Sequence, residues 1–243
     1  MRRTGAARTD HHMDEWNLQR PPLPDALPPP QGDDVHVWLF ELDRAAVAMH
    51  ALGVDEQRRA ARFVRDADRR RYLDAHARMR VVLGAYCGIE PARLRFAAGA
   101  HGKPRLQPAA LHFNLSHSAD RALLAVGSSA EIGVDIEAWR EVDDELARTF
   151  LSSEEHALVQ ASGRPDAATL LGCWTRKEAY LKAVGCGLLR DPREVRAGCA
   201  PTPLEVDGIV LRSLPLPDGY SGALAVRGRC GAVRLYRLAE TLH

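Results

Sequence analysis

Three short segments of this 243-residue chain carry residue types able to do chemistry. The first is Gly133-Val134-Asp135-Ile136-Glu137. Its alternation reads as a strand, so Asp135 and Glu137 share one side while Val134 and Ile136 turn to a core. Two carboxylates so close repel each other unless a cation sits between them. The plainer alternative is a solvated strand edge. The second segment runs from Trp174 through Lys177 and Glu178 to Lys182. Trp174, Glu178 and Lys182 recur at i, i+4 and i+8, which is one face of a helix. Taken alone, Glu178 and Lys182 would be a surface ion pair of little energetic weight. A tryptophan heading the stripe points instead to a partly buried face. The third segment is Phe113-Asn114-Leu115-Ser116-His117-Ser118, preceded by Gly102-Lys103-Pro104. Ser116 and His117 are neighbours on a strand and face opposite ways, and no G-x-S-x-G turn is present, so a hydrolase triad is rejected.

These segments need elements to position them. Val35 to Phe40 reads as a buried strand. Asp55 opens an Arg-rich helical region, and the apolar spacing of Tyr72, Met79 and Val82 continues to Gly88, a C-cap. Gly99 to Pro104 reads as a turn, and His112 to His117 as a strand. Ala122–Val126 and Ile132–Ile136 read as two strands of one hairpin. Ser152 with Glu155 is a capping-box pattern. Asp166 is expected to cap a helix running to about Val184, stopped by Gly185 and Gly187. Ile209–Leu211, Gly222–Val226 and Val233–Leu238 read as strands. Helices and strands without regular βαβ alternation favour an α+β fold.

Composition narrows the classes. The chain has 33 basic and 32 acidic residues, a formal net charge of +1, which argues against a nucleic-acid binder. No apolar run approaches the roughly 18 residues of a membrane helix. No secretory h-region is evident near the start, so a cytoplasmic location is expected. Five cysteines form no C-x-x-C pair and are read as reduced, and no zinc site is expected. Residues 1–32 are proline-rich and are expected to be a disordered leader; Met13 is a plausible alternative start. Only three of the cations are lysines, Lys103, Lys177 and Lys182, and all three fall within the segments above. Lysine is a slimmer point charge on a flexible stem than the planar guanidinium.

Gly-Val-Asp-Ile-Glu, followed about 40 residues later by Trp-x-x-Lys-Glu-Ala-x-x-Lys-Ala, resembles the signature of the 4′-phosphopantetheinyl transferases. Gly-Lys-Pro and Phe-Asn-Leu-Ser-His-Ser look like that family's upstream motifs, in the right order, and the resemblance spans roughly residues 55–192. Length and the Trp before Lys-Glu-Ala resemble the Sfp type, W/KEA branch. The resemblance implies a monomer of two similar halves related by a pseudo-two-fold, 33–128 on the coenzyme A adenosine side and 129–243 with the catalytic helix, and an active site in the cleft between them. It implies Mg²⁺ on Asp135, Glu137 and Glu178, and coenzyme A as the substrate. The phosphopantetheine would pass to a serine of an acyl or peptidyl carrier protein in fatty-acid, polyketide or nonribosomal-peptide synthesis, releasing 3′,5′-ADP. By the same likeness, Glu178 is also the candidate base and Lys182 meets the phosphates. Arg71, Lys103, Pro104, Ser116 and His117 line the adenosine and 3′-phosphate side, with a contribution from among Arg58, Arg59 and Arg62. Lys177 faces solvent or the ligand. Two other readings use the same residues: a metal-dependent nucleotide phosphohydrolase, and a coenzyme-A-binding module without turnover. The intact carboxylate set argues against the latter.

Overall fold

The computed structural model describes residues 17–19, 23, 26–43, 47–99, 102–107, 111–161, 163, 165–185 and 190–238. Three sheets and five α-helices make up the described part, an α+β arrangement. The larger sheet has the order β1 (Asn17–Gln19), β11 (Val233–Leu238), β2 (Val35–Glu41), β6 (Arg121–Gly127), β5 (His112–Ser118). The second has the order β7 (Ile132–Ala138), β10 (Tyr220–Arg227), β9 (Ile209–Ser213), β8 (Leu204–Val206). A separate hairpin joins β3 (Arg95–Ala98) to β4 (Pro104–Gln107). The helices are α1 (Val54–Ala60), α2 (Asp66–Cys87), α3 (Asp144–Phe150), α4 (Ser153–Ala161) and α5 (Ala167–Val184).

The two sheets stack, with one long helix on each outer side. Strand β2 shows why its sequence is apolar on both faces. Trp38 and Phe40 pack beneath α2 with Met79, Val82 and Leu83. Val35, Val37 and Leu39 point the other way, against Val134 and Ile136 of β7 and Leu224 of β10. On the far side of the smaller sheet, Ala179, Tyr180 and Ala183 of α5 cover Leu211, Ala223 and Ala225. A sheet covered on both faces has no solvated side, so the simple polar/apolar alternation is lost.

Local stop and start signals were legible. Gly88 and Gly185 end α2 and α5 in the left-handed conformation, at φ 62° and 75°. Gly187 lies outside the described residues. The Asp166 carboxylate accepts from Thr169 N at 2.8 Å. The capping box closes both ways: Ser152 N donates to Glu155 Oε2 at 2.9 Å, and Glu155 N to Ser152 Oγ at 3.1 Å.

Three expectations need correction. Strands β6 and β7 are not a hairpin: β6 lies between β2 and β5, while β7 pairs with β10 in the other sheet. Each has an apolar face that is better buried by stacking than by pairing edge to edge. The division at 128/129 does not hold for the last strand, because β11 crosses back and pairs in parallel with β2. The leader is not wholly without structure. Asn17–Gln19 lies parallel to β11, and Leu27 N donates to Ala85 O at 2.9 Å while Leu23 and Leu27 pack on the α2 core. Two leucines between prolines give this stretch an apolar anchor. The rest of residues 1–25 lies outside the described residues.

Candidate active site

The site forms where the edge strands of the two sheets, β5 and β7, lie side by side next to α5. Asn114, Ser116 and Ser118 alternate along β5 and turn the same way, towards β7. Asn114 Oδ1 accepts from Val134 N at 2.8 Å, and Ser118 Oγ from Ala138 N at 3.1 Å. Side chains thus replace a backbone ladder between the two strands. Asn114 and Ser118 were quoted in the motif but given no role. The signal that could have found them is the i, i+2, i+4 polar alternation, the same signal that exposed Asp135 and Glu137.

Helix α5 is held unusually close to β7. A methyl placed on Gly133 would fall 2.1 Å from Ala179 O and 2.5 Å from Ala183 N, so only glycine permits this contact. That approach brings the Trp174, Glu178, Lys182 stripe onto the Asp135, Glu137 side of the strand. Lys182 Nζ donates to Asp135 Oδ1 at 2.6 Å, to Ser116 Oγ at 2.9 Å and to Val134 O at 3.3 Å. Ser116 Oγ donates to the same Asp135 oxygen at 2.7 Å. Trp174 Nε1 donates to Glu137 Oε1 at 3.3 Å, and Ser118 Oγ and Arg140 hold Glu137 Oε2 at 2.9 and 2.8 Å.

Two carboxylate oxygens are left over. Asp135 Oδ2 and Glu178 Oε1 are buried and find no hydrogen-bond partner among the described residues. Such orphans are costly unless something else meets them. Burial first, and then neighbouring carboxylates, push both groups above their ordinary range: Glu137 acts on Asp135, and Asp135 and Glu137 act on Glu178. Lys182 opposes the shift at both. No group of three or more His, Cys, Asp or Glu among the described residues forms a ready-made metal cage. Two orphaned carboxylate oxygens nevertheless fit a hard cation of the Mg²⁺ kind, which is usually held by one or two carboxylates and completes its shell with phosphate and water. Glu137, engaged by three donors, has less free capacity than Asp135 and Glu178.

The other residues singled out from the sequence fall into separate places. His117 lies on the opposite face of β5 from Ser116, on the side of α2. The protein packed around it, and then Lys182 and Arg71, push its imidazole below the ordinary value. Arg71 on α2 donates from Nε to Asp43 Oδ2 at 2.6 Å, and this bond raises its pKa further. Lys103 Nζ donates to Glu131 Oε2 and to Ile132 O, both at 2.8 Å. Glu131, which was not singled out, also pairs with Arg105 and stands 3.4 Å from His112 Nδ1. Pro104 opens β4, opposite Ala98. Arg58, Arg59 and Arg62 are exposed and, with Phe63, border an open groove of about 670 Å³.

Lys177 corrects the lysine argument. It faces neither solvent nor the carboxylates. It is fully buried, with Nζ 2.6 Å from Glu155 Oε2 and donating to Pro192 O and Val195 O at 2.9 and 2.7 Å. Successive helical residues are about 100° apart, so the neighbour of Glu178 turns to a different face.

Comparison with known proteins shows the family. Residues 37–129 match the family described as 4′-phosphopantetheinyl transferase, N-terminal, and residues 131–204 match the 4′-phosphopantetheinyl transferase superfamily. The chain therefore belongs to the 4′-phosphopantetheinyl transferase superfamily and is an enzyme of that kind. It is 36% identical over 183 residues to 4′-phosphopantetheinyl transferase HetI of Nostoc sp., covering 70% of this chain and 76% of that one. It is 30% identical over 178 residues to 4′-phosphopantetheinyl transferase Sfp of Bacillus subtilis, covering 71% and 75%. The likeness to Sfp supports the Sfp type read from the motifs. No helix among the described residues is long and apolar enough to cross a membrane.

Proposed function

We propose that this chain transfers the 4′-phosphopantetheine group of coenzyme A to a serine hydroxyl of an apo acyl or peptidyl carrier protein. The observation that carries the reading is the pair of orphaned buried oxygens, Asp135 Oδ2 and Glu178 Oε1, beside the Lys182 ammonium. Asp135 and Glu178, with Glu137 at the edge, would hold Mg²⁺. A divalent cation there supplies positive charge against the pyrophosphate and the charge that builds on the leaving group.

The protein's own residues do the rest. Lys182 adds a fixed positive charge where the phosphates lie. Ser116 orients Lys182 and Asp135 by bonding both. The serine oxygen attacks the β-phosphorus, the bond from that phosphorus to the oxygen of 3′,5′-ADP breaks, and the hydroxyl proton passes to Glu178. Burial and the neighbouring carboxylates raise its basicity and a bound cation would lower it, so Glu178 would take the proton directly or through water. Arg71, with a contribution from among Arg58, Arg59 and Arg62, would form the cationic side for the 3′-phosphate, and His117 would meet it as a neutral hydrogen-bonding imidazole. Lys103 and Pro104 border the adenosine.

The larger sheet with α2 and the smaller sheet with α5 are the two similar halves, 33–128 and 129–243, the second lending β11 to the first. The cleft between them would be the active site of a cytoplasmic monomer. Carriers of fatty-acid, polyketide and nonribosomal-peptide synthesis are its proposed acceptors. The test is incubation with apo carriers of these three kinds, coenzyme A and Mg²⁺, followed by weighing the carrier. A phosphopantetheine adduct is expected. Loss of coenzyme A without a modified carrier would mean a phosphohydrolase, and no adduct on any carrier would sink the proposal.

A further inference from the structure

We propose that Glu131 is a positioning residue for coenzyme A, a role that rests on the transfer reaction already proposed: it acts through Lys103 to hold the Gly102-Lys103-Pro104 turn against the start of β7 and the end of α5. Glu131 stands one residue before β7, and its backbone is fixed there, with Arg227 N donating to Glu131 O at 2.9 Å. Its carboxylate gathers basic side chains from three places. Lys103 Nζ, just before β4, donates to Oε2 at 2.8 Å. Arg105 of β4 donates to Oε1, and His112 Nδ1 at the head of β5 stands 3.4 Å from the same oxygen. Burial alone would raise the Glu131 carboxyl, but Lys103 and Arg105 outweigh it and hold it below its ordinary range.

Lys103 is the member of this cluster that reaches the site. Its Nζ also donates to Ile132 O at 2.8 Å, so two of its three hydrogens are committed to the protein. Its stem passes Gly185, the residue that ends α5: a methyl on Gly185 would lie 4.0 Å from Lys103 Cδ. Lys182 is about one helical turn back from there and bonds Val134 O on the same strand as Ile132. A ligand whose phosphates meet Lys182 therefore passes beside the turn. The turn is tightly closed, with Gly99 N donating to Lys103 O at 2.7 Å, and a methyl on Gly99 would fall 2.8 Å from that oxygen. The cavity left among Lys103, Arg105, His112 and Glu131 is about 60 Å³, room for water and not for a nucleotide. The ion cluster is thus a support for the turn, and its one carboxylate ties the turn to β7.

Position and charge predict opposite signs. Glu131 is negative and coenzyme A carries phosphates, so a carboxylate acting only by its charge would repel the ligand, and its removal would tighten binding. A carboxylate that places the turn does the reverse: its removal frees Lys103 and weakens binding. The two residues should also depend on each other. A tether works only while both ends are present, whereas a lysine acting independently of Glu131 would lose its effect in full whatever stands at 131.

The experiment compares the full chain with Glu131→Ala, Lys103→Met and the double variant, each checked for folding by circular dichroism. Coenzyme A affinity is read by calorimetry without carrier, and KM and kcat are read with saturating carrier. Each single variant is expected to weaken coenzyme A binding by roughly 5–20-fold. For Glu131→Ala the KM for coenzyme A should rise in step while kcat stays within about twofold of the wild type. The double variant is expected to match the weaker single variant instead of multiplying the two losses. Glu131→Gln, which keeps the shape but has one acceptor oxygen for two cations, is expected to fall between wild type and Glu131→Ala. Unchanged or tighter binding by Glu131→Ala and Glu131→Gln, or losses that multiply in the double variant, would overturn the proposal. A wild type that binds coenzyme A yet modifies no carrier would refute the transfer reaction, while the affinities still decide the tether.

Discussion

Helix α5 carries two lysine–carboxylate pairs, one fully and one partly buried, and they are put to opposite uses. Lys177 meets Glu155 at 2.6 Å, with side chains 0% and 8% exposed. Lys182 meets Asp135 at the same 2.6 Å, with side chains 28% and 6% exposed. Distance therefore does not separate them; what is left over does. Lys177 spends its three hydrogens on Glu155, Pro192 O and Val195 O, and Glu155 also accepts from Ser152 N and Gly198 N. That pair is closed and ties α5 to α4 and the segment after it. Around Lys182 the account stays open, with Asp135 Oδ2 and Glu178 Oε1 unmatched. A structural ion pair satisfies itself, whereas a binding site keeps unmet acceptors for a ligand.

The largest effect that would break this contrast lies on the open side. Glu178→Gln removes the proton acceptor and one cation-binding oxygen, and should lower the transfer rate by roughly 10²–10⁴-fold. Circular dichroism should be unchanged; near-normal turnover would refute the role of Glu178. On the closed side, Lys177→Met removes one partner of a buried pair and should cost about 3–5 kcal/mol of stability. Denaturant unfolding measures this, and the folded fraction should still transfer. Gly133→Ala tests the contact that brings α5 onto β7 and so builds the open side. The added methyl has no room against Ala179 O, so α5 must move, at roughly 1–3 kcal/mol of stability together with lost activity. Retention of wild-type stability and rate would contradict the close packing.

The smallest expected effect is on pH dependence without divalent cation. Asp135 and Glu178 have pKa values raised in the folded state above 3.8 and 4.5. A raised carboxyl binds more protons folded than unfolded, so its contribution to stability falls as pH rises through that window. Glu178→Gln lacks this penalty. Its thermal midpoint should therefore exceed that of the wild type by a margin that is absent at acid pH and grows as pH rises. A margin that shrinks with rising pH would contradict the assignment.

How much of this was legible depended on range. The capping box at Ser152 and Glu155, the cap at Asp166 and the glycine stops at Gly88 and Gly185 are local, and the sequence shows them directly. So does the facing of Asp135 against Val134, because strand alternation needs no partner. Pairing is not local. Ile132–Ala138 follows Arg121–Gly127 by a short turn yet joins another sheet, because stacking buries Leu123 against Val134 and Ile136. The return of Val233–Leu238 to β2 depends on an edge nearly 200 residues earlier. Lys177 was misjudged for a related reason. Its spacing gives the face, but its partner Glu155 arrives from another helix. Glu131, which engages Lys103, escaped notice because a single acidic residue before a strand carries no pattern.

One measurement tests the divided use of α5 most directly. Apo carrier protein is incubated with coenzyme A, Mg²⁺ and equal folded amounts of the Asp135→Asn or the Lys177→Met variant, and the carrier is weighed over time. The expected result is a phosphopantetheine adduct with Lys177→Met and none with Asp135→Asn. Modification by Asp135→Asn at a rate near that of the wild type, or none by folded Lys177→Met, would contradict the account.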